Sequence, residues 1–352
     1  MQFNPYQNKI AIDLPEPAQI NFIKEVSGMK KSTLLLLSVF IHINNIYCQE
    51  KFSKGSLDSS FGTNGSAIIL NGSAYYIIEG SPGYTGSVSS FTKDNKIIVG
   101  GTYVSKDDLN YRPVLTMRLN QDGSIDETYG NGHGIDTISF NTEKYQVYRT
   151  ISYCKMVDSK SDKIIIGGEI FTYDAPYRLS FLCRLNAEGT VDSSFGDNGW
   201  AINNFDEAPV YKNLAIQPND GKIIAGGIGF TGNQNQSAAF FVARYNSDGS
   251  LDKRFGNDGH TSSLIAVSCE ANDLALQNDG KILLAGYAYI GGGVYHAAMV
   301  RYSSNGAPDI TFGKDGSVIT DIDLKTNLSD AYFGIAVQED GKIIASGQTG
   351  YQ

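Results

Sequence analysis

Residues Arg244 to Gly259 read RYNSDGSLDKRFGNDG. Sixteen residues crowd Asp, Asn and Gly together with two arginines, which fits a metal loop, an anion site or a turn between strands. Recurrence decides among these. The stretch returns as GSLDSSFGTNG (Gly55 to Gly65), GSIDETYGNG (Gly123 to Gly132), GTVDSSFGDNG (Gly189 to Gly199) and GAPDITFGKDG (Gly306 to Gly316). Its shared acid is Asp58, Asp126, Asp192, Asp252 and Asp309, spaced by 68, 66, 60 and 57 residues. A chain that repeats one motif at this interval is built from stacked units.

Two further motifs alternate with the first. One is KDNKIIVGG, KSDKIIIGG, PNDGKIIAGG, QNDGKILLAG and QEDGKIIASG, whose lysines are Lys96, Lys163, Lys222, Lys281 and Lys342. The other is LTMRLN, FLCRLN, FVARYN and MVRYS. In LALQNDGKILLAG the turn Asn278-Asp279-Gly280 separates two apolar runs, a strong hairpin signal because such residues accept positive φ. FVARYN is an aromatic and β-branched run and so a third strand, and the residues after each FGxxG supply a fourth. No segment keeps a helical period. Four short antiparallel strands per unit of about 60 residues predict an all-β propeller of four-stranded blades. Five units are recognisable, the last incomplete. Glycine pairs such as Gly226-Gly227 are expected to end strands, with no helix after them to form a phosphate loop.

The 352 residues carry 28 Lys+Arg against 37 Asp+Glu, a formal net charge of −9. That balance opposes nucleic acid, whose binding needs cations to displace counterions from phosphates. Residues 1–28 are expected to be a mis-called upstream extension. Residues 29–48 read as a secretory signal: Met29-Lys30-Lys31 is cationic, the run Leu34 to Ile43 is apolar, and a small residue, Cys48, closes it. The apolar run is too short to span a bilayer, which needs about 20 residues. The mature chain, 49–352, is then secreted or held at the cell surface. Tyr47 argues against lipid attachment at Cys48. Cys154, Cys183 and Cys269 remain, an odd number that speaks against a disulfide framework.

The ARY strand, DGSLDxxFGxxG and DGKIxxAG together resemble the delta-60 repeat β-propeller family, over Gly55 to Gly350. The resemblance implies an exported propeller and brings no catalytic residue with it. Two departures stand out. Glu50 occupies the place of Arg before Asp58, and the fifth unit stops at GQTGYQ before its ARY strand. A truncated reading frame accounts for the second better than a five-bladed disc with a frayed closure.

The third-strand arginine and the motif aspartate keep one spacing. Arg118 and Asp126, Arg184 and Asp192, Arg244 and Asp252, and Arg301 and Asp309 are each eight residues apart. A guanidinium can grip a carboxylate through two parallel hydrogen bonds, so each pair is expected to clip the turn that joins one blade to the next. Active centres are unique and architecture recurs, which makes these pairs structural. Calcium is the alternative for Asp248, Asp252, Asn257 and Asp258, but no acidic residue stands at the twelfth position as an EF-hand requires. No other cofactor is implied. His133, His260 and His296 show no paired metal spacing, so no metal site is expected.

Ligand-binding candidates lie off the skeleton. An aromatic follows each blade lysine by seven or eight residues: Tyr103, Phe171, Phe230 and Tyr289. Beyond them the loops LNYRP, TYDAPYR, TGNQNQS and IGGGVYH diverge, and variable loops on a repeated scaffold are where binding resides. The bland alternative is that these rings fill gaps between blades. The reading is a non-enzymatic binding or structural module taking an extracellular ligand, glycan or protein. The runner-up, a glycoside hydrolase or lyase, needs two carboxylates on one pocket. Glu79, Asp107, Asp174 and Asp206 are off the repeat, and nothing in the sequence pairs them.

Overall fold

The structure, a computed structural model, describes residues 58–62, 76–77, 90–104, 113–140, 145–175, 177–231, 237–322 and 329–351. The upstream extension, the signal segment, Glu79, Asp107 and most of the LNYRP and TGNQNQS loops lie outside them. Among the described residues every element is a strand, and no helix is long and apolar enough to cross a membrane.

The strands form five antiparallel sheets in chain order. In the first, β1 (Tyr76–Ile77) and β2 (Ser90–Phe91) share one edge of β3 (Ile97–Val104), which continues to β4 (Val114–Leu119) and β5 (Ile135–Ile138). The second runs β6 (Val147–Val157), β7 (Ile164–Thr172), β8 (Arg178–Leu185) and β9 (Trp200–Asn203). The third runs β10 (Val210–Ile216), β11 (Ile223–Thr231), β12 (Ser237–Tyr245) and β13 (His260–Ser263). The fourth runs β14 (Ser268–Leu276), β15 (Ile282–Gly291), β16 (Val294–Tyr302) and β17 (Ser317–Thr320). The fifth pairs β18 (Ser329–Val337) with β19 (Ile343–Tyr351). The chain is a β-propeller repeat protein with four-stranded blades and a two-stranded fifth sheet.

Sequence alternation explains why the sheets stack. In β12, Phe240 and Val242 face the fourth blade and pack with Leu274, Leu284 and Ala298. Phe241, Ala243 and Tyr245 face the second blade and pack with Cys154, Leu182 and Phe195. Both faces of one strand are therefore apolar and fully buried, which no isolated blade achieves. Each buried Phe contributes about 1.5–3 kcal/mol. Equivalent layers join the first blade to the second, around Ile98, Tyr129 and Trp200, and the fourth to the fifth, around Leu283, Met299 and Ile335. Cys154, Cys183 and Cys269 are buried.

First strands converge on the axis. Asn213 Nδ2 donates to Asn272 O at 2.6 Å, and Asn272 Nδ2 donates to Tyr332 O at 2.8 Å, linking β10, β14 and β18. The first strands β6, β10, β14 and β18 are bulged at the same place, with register shifts at Ser152/Cys154, Tyr211/Asn213, Ala271/Asp273 and Tyr332/Gly334. The bulge corrects the expectation for the glycine pairs, which lie mid-strand rather than at strand ends: Gly226 and Gly227 sit inside β11. The bulged neighbour pushes a carbonyl against the second glycine. A Cβ on Gly227 would stand 2.0 Å from Val210 O, and one on Gly286 1.9 Å from Glu270 O. Only glycine fits.

Candidate functional site

Antiparallel strands alternate direction, so each blade has two distinct ends. The Asp-Gly hairpin, the end of the third strand and the DGSLDxxFGxxG turn share one of them, the motif end. The second-to-third loops and the connections to the next blade share the other, the loop end.

At the motif end Asp126, Asp192, Asp252 and Asp309 are buried among cations. Arg118 Nε lies 2.5 Å from Asp126 Oδ2, Arg184 Nε 2.7 Å from Asp192 Oδ2, Arg244 Nε 3.0 Å from Asp252 Oδ2 and Arg301 Nε 2.9 Å from Asp309 Oδ2. The grip is not the two-oxygen fork expected from the sequence. A lysine takes the same oxygen: Lys96, Lys163 and Lys222 reach it at 2.7, 2.6 and 2.7 Å, and Lys281 stands at 3.7 Å. The other oxygen closes the turn, as where Thr128 and Ser194 hydroxyls donate to Asp126 and Asp192 Oδ1. The sequence displayed these lysines at every repeat without giving them a partner.

The arginine also crosses the blade boundary. Its NH1 donates to Ala187 O from Arg118, to Ser247 O from Arg184 and to Ser304 O from Arg244, each carbonyl belonging to the next unit. The same guanidiniums stack on Tyr129, Phe195 and Phe255 at 5.0, 4.6 and 4.6 Å. Backbone reinforces the junction: Gly196 N donates to Asp248 O and Gly256 N to Asn305 O. Gly249 has φ +89, and a Cβ there would meet Gly196 N at 2.8 Å and the Phe195 ring at 3.0 Å. Burial alone would raise Asp126, Asp192 and Asp252, but hydrogen bonds from Lys96, Lys163 and Lys222 and their neighbours outweigh it and hold all three well below the carboxylate range. The negative charge of each of these carboxylates is taken up by the flanking lysine and arginine. The stretch Arg244 to Gly259 is a blade-to-blade clip.

The loop end carries the aromatic candidates. Phe171 lies between Arg149 and Arg178, whose guanidiniums stand 5.0 and 5.3 Å from its ring. Arg178 also covers Phe230 at 4.9 Å, so a ladder Arg149–Phe171–Arg178–Phe230 crosses from the second blade to the third. Phe230 itself is half-buried against Tyr153, Val210, Ile228 and Ala238 and fills the gap between those blades. Tyr289 stacks on Tyr295 at 5.1 Å and accepts from Gly293 N. Tyr103 pairs through its backbone with Ile77. The structure thus links Phe171 and Phe230 and leaves Tyr289 with a separate tyrosine cluster in the fourth blade.

Two strongly exposed tyrosines at the loop end were not singled out by the sequence. Tyr173 and Tyr177, in the loop joining β7 to β8, are 59% and 68% exposed. Their signal was present in TYDAPYR as aromatics flanking a Pro-containing turn. Beneath them Glu169 is 1% exposed and 2.7 Å from Arg178 Nε. Burial pushes its carboxyl above the usual range, against the pull of Arg178, Tyr153, Lys212 and Arg149.

Among the described residues three carboxylates off the repeat are buried: Glu169, Asp273 and Asp330. Asp174 and Asp206 are exposed. Asp273 accepts from Leu274 N and, across the blade boundary, from Ile335 N. Asp330 stands with Asp321 beside His296, whose Nδ1 is 3.9 Å from Asp321 Oδ1 and from Asp330 Oδ2. His260 Nε2 lies 3.3 Å from Glu207 Oε1, and His133 is exposed.

Residues 92–129, 160–195, 219–255 and 277–312 match the family model described as a domain of unknown function (DUF5122) beta-propeller. No curated protein matches the chain. Among solved structures it is similar to Bacillus subtilis levansucrase, at 12% identity and TM-score 0.40 over 91% of this chain and 96% of that one. It is similar to the Bacillus subtilis arabinanase Arb43A at 13% and 0.38, over 74% and 92%. A hypothetical protein from Leishmania major is 14% identical with TM-score 0.34, over 77% and 87%.

Proposed function

We propose that the chain is an exported, non-enzymatic binding module that takes an extracellular glycan on the loop end of its propeller. One observation carries this reading. Tyr173 and Tyr177 project more than half exposed from the loop that Arg178 anchors on Phe171 and Phe230. Tyrosine offers a large flat face at low entropic cost together with a hydrogen-bonding tip, which suits sugar rings. The motif end, by contrast, spends its charges on holding blades together. A hydrolytic reading needs a reachable acid and base, and the buried carboxylates do not supply them: Asp330 and Glu169 are sealed at 0% and 1% exposure.

A glycan array probed with the whole chain tests the proposal. Binding without turnover, lost in the Tyr173→Ala/Tyr177→Ala double variant, is the expected result. Silence across the array would favour a spacer, and release of a shortened sugar would favour a carbohydrate-active enzyme. Either would overturn the reading, as would full binding by the double variant.

A further inference from the structure

We propose that His296, Asp321 and Asp330 form a divalent transition-metal site bridging the fourth and fifth blades at the loop end. The three come from separate places: His296 from β16, Asp321 from the residue after β17, and Asp330 from the start of β18. One ligand atom from each lies within 4.8 Å of the others. In a tetrahedral zinc site with bonds of about 2.0–2.1 Å, neighbouring ligand atoms stand roughly 3.3 Å apart. The imidazole nitrogen stands 3.9 Å from each carboxylate and no two of the ligand atoms are more than 4.8 Å apart, so closing around an ion needs a contraction of about 0.6–1.5 Å.

Asp330 is the independent reason to place a cation here. Its side chain is 0% exposed, Ile322 N donates to its Oδ2 at 2.9 Å, and its Oδ1 has no hydrogen-bond partner. The Nδ1 of His296 is likewise buried and without a partner. An isolated buried carboxylate is strongly unfavourable unless it is paired or binds a metal. The contrast with the motif end is direct. Asp126, Asp192, Asp252 and Asp309 are equally buried and each has an arginine and a lysine within 4 Å, whereas among the described residues no lysine or arginine lies within that distance of Asp330.

The position is also special to this blade. Ser268-Cys269 opens β14 as Ser329-Asp330 opens β18, so the acid stands where the preceding blade has a buried thiol. One imidazole with two carboxylates suits Zn²⁺ or Mn²⁺, and calcium prefers an all-oxygen shell. Asp321 is 40% exposed, which leaves an approach from solvent and room for a further ligand on the ion.

Calorimetric titration of the chelator-treated whole chain with Zn²⁺ tests this. One ion per chain should bind at micromolar affinity or tighter and raise the melting temperature. Asp321→Asn alters an exposed residue, so it should fold normally and bind at least tenfold more weakly; Asp330→Asn should abolish binding. His133→Ala, at the other end of the molecule, should change nothing. Co²⁺ in place of Zn²⁺ should give a visible d–d spectrum that His296→Gln alters. Absence of stoichiometric binding, wild-type affinity in Asp321→Asn, or tighter binding of Ca²⁺ than of Zn²⁺ would each overturn the assignment.

Discussion

Asp252 accepts on one oxygen from two cations, Lys222 at 2.7 Å and Arg244 at 3.0 Å. Removing its carboxylate leaves both positive groups facing each other in a nearly dry junction. Breaking a buried pair by deleting one partner costs about 3–5 kcal/mol. Asp252→Ala should therefore lower the denaturation midpoint at unchanged slope, and an unmoved midpoint would reduce the residue to a turn former. The clip aspartates also set the acid limit. Their folded pKa values are depressed, with Asp309 held at about 2 chiefly by the Thr311 hydroxyl. A free Asp titrates at about 3.9, so their stabilisation is complete above that pH and is lost as pH falls through the folded values. Melting temperature should hold down to about pH 4 and drop steeply towards pH 2. Glu169 runs the opposite way, because its folded pKa is raised. Its contribution is greatest below about pH 4.3 and lost as pH rises, so the stability difference between Glu169→Gln and the wild type should move in favour of the variant as pH rises. The Arg–Asp spacing of eight was legible because both residues belong to one turn. The lysine partner was visible at every repeat yet unassigned, since it arrives from 29 or 30 residues away in Asp126, Asp192 and Asp252.

Elements tell the same story through the bulged first strand. A bulge adds one residue against a partner that gains none, and the extra carbonyl must go somewhere. Here it points at the second glycine of the repeated pair. The first position of the pair is Gly226 in β11 but Ala285 in β15 and Ser346 in β19, so a side chain is tolerated there. The second is Gly101, Gly168, Gly227, Gly286 and Gly347 without exception. A Cβ at Gly226 would meet the ends of Leu274 and Leu284, at 2.5 and 2.7 Å, which can shift; at Gly227 it would meet the backbone oxygen of Val210. Gly227→Ala should cost at least the roughly 1–3 kcal/mol of an overpacked site, and Gly226→Ala distinctly less. Equal losses in the two variants, read by thermal melting, would refute the carbonyl clash. The glycine pairs were easy to find in the sequence. Their meaning was hidden, because a bulge is a property of the neighbouring strand and leaves no mark on the residues it constrains.

At the scale of the whole molecule, the repeats explain why the architecture was readable and the ligand-bearing end was not. Motifs that recur every 57–68 residues report contacts made once per blade, and these decide strand order and stacking. The loop end is where the blades differ, so nothing in the repeat foretells that His296 and Asp330 meet across a blade boundary. The same near-one-dimensional logic makes stability uneven along the chain, since each sheet is held by its own pairing and by its neighbours. In β15 every stretch of backbone lies between β14 and β16, whereas among the described strands β19 pairs with β18 alone. Ile344 is correspondingly 51% exposed, while its counterpart Leu283 is fully buried. Amide protons should therefore exchange fastest in β19, more slowly in β18 and slowest in β11 and β15, when followed by mass spectrometry on the native chain. Because the clip at Asp252 joins the third blade to the fourth, Asp252→Ala should speed exchange in β12 and β16 more than in β7. Uniform acceleration across all sheets would mean that the blades open as a single cooperative unit, and the nearest-neighbour account of this propeller would fail.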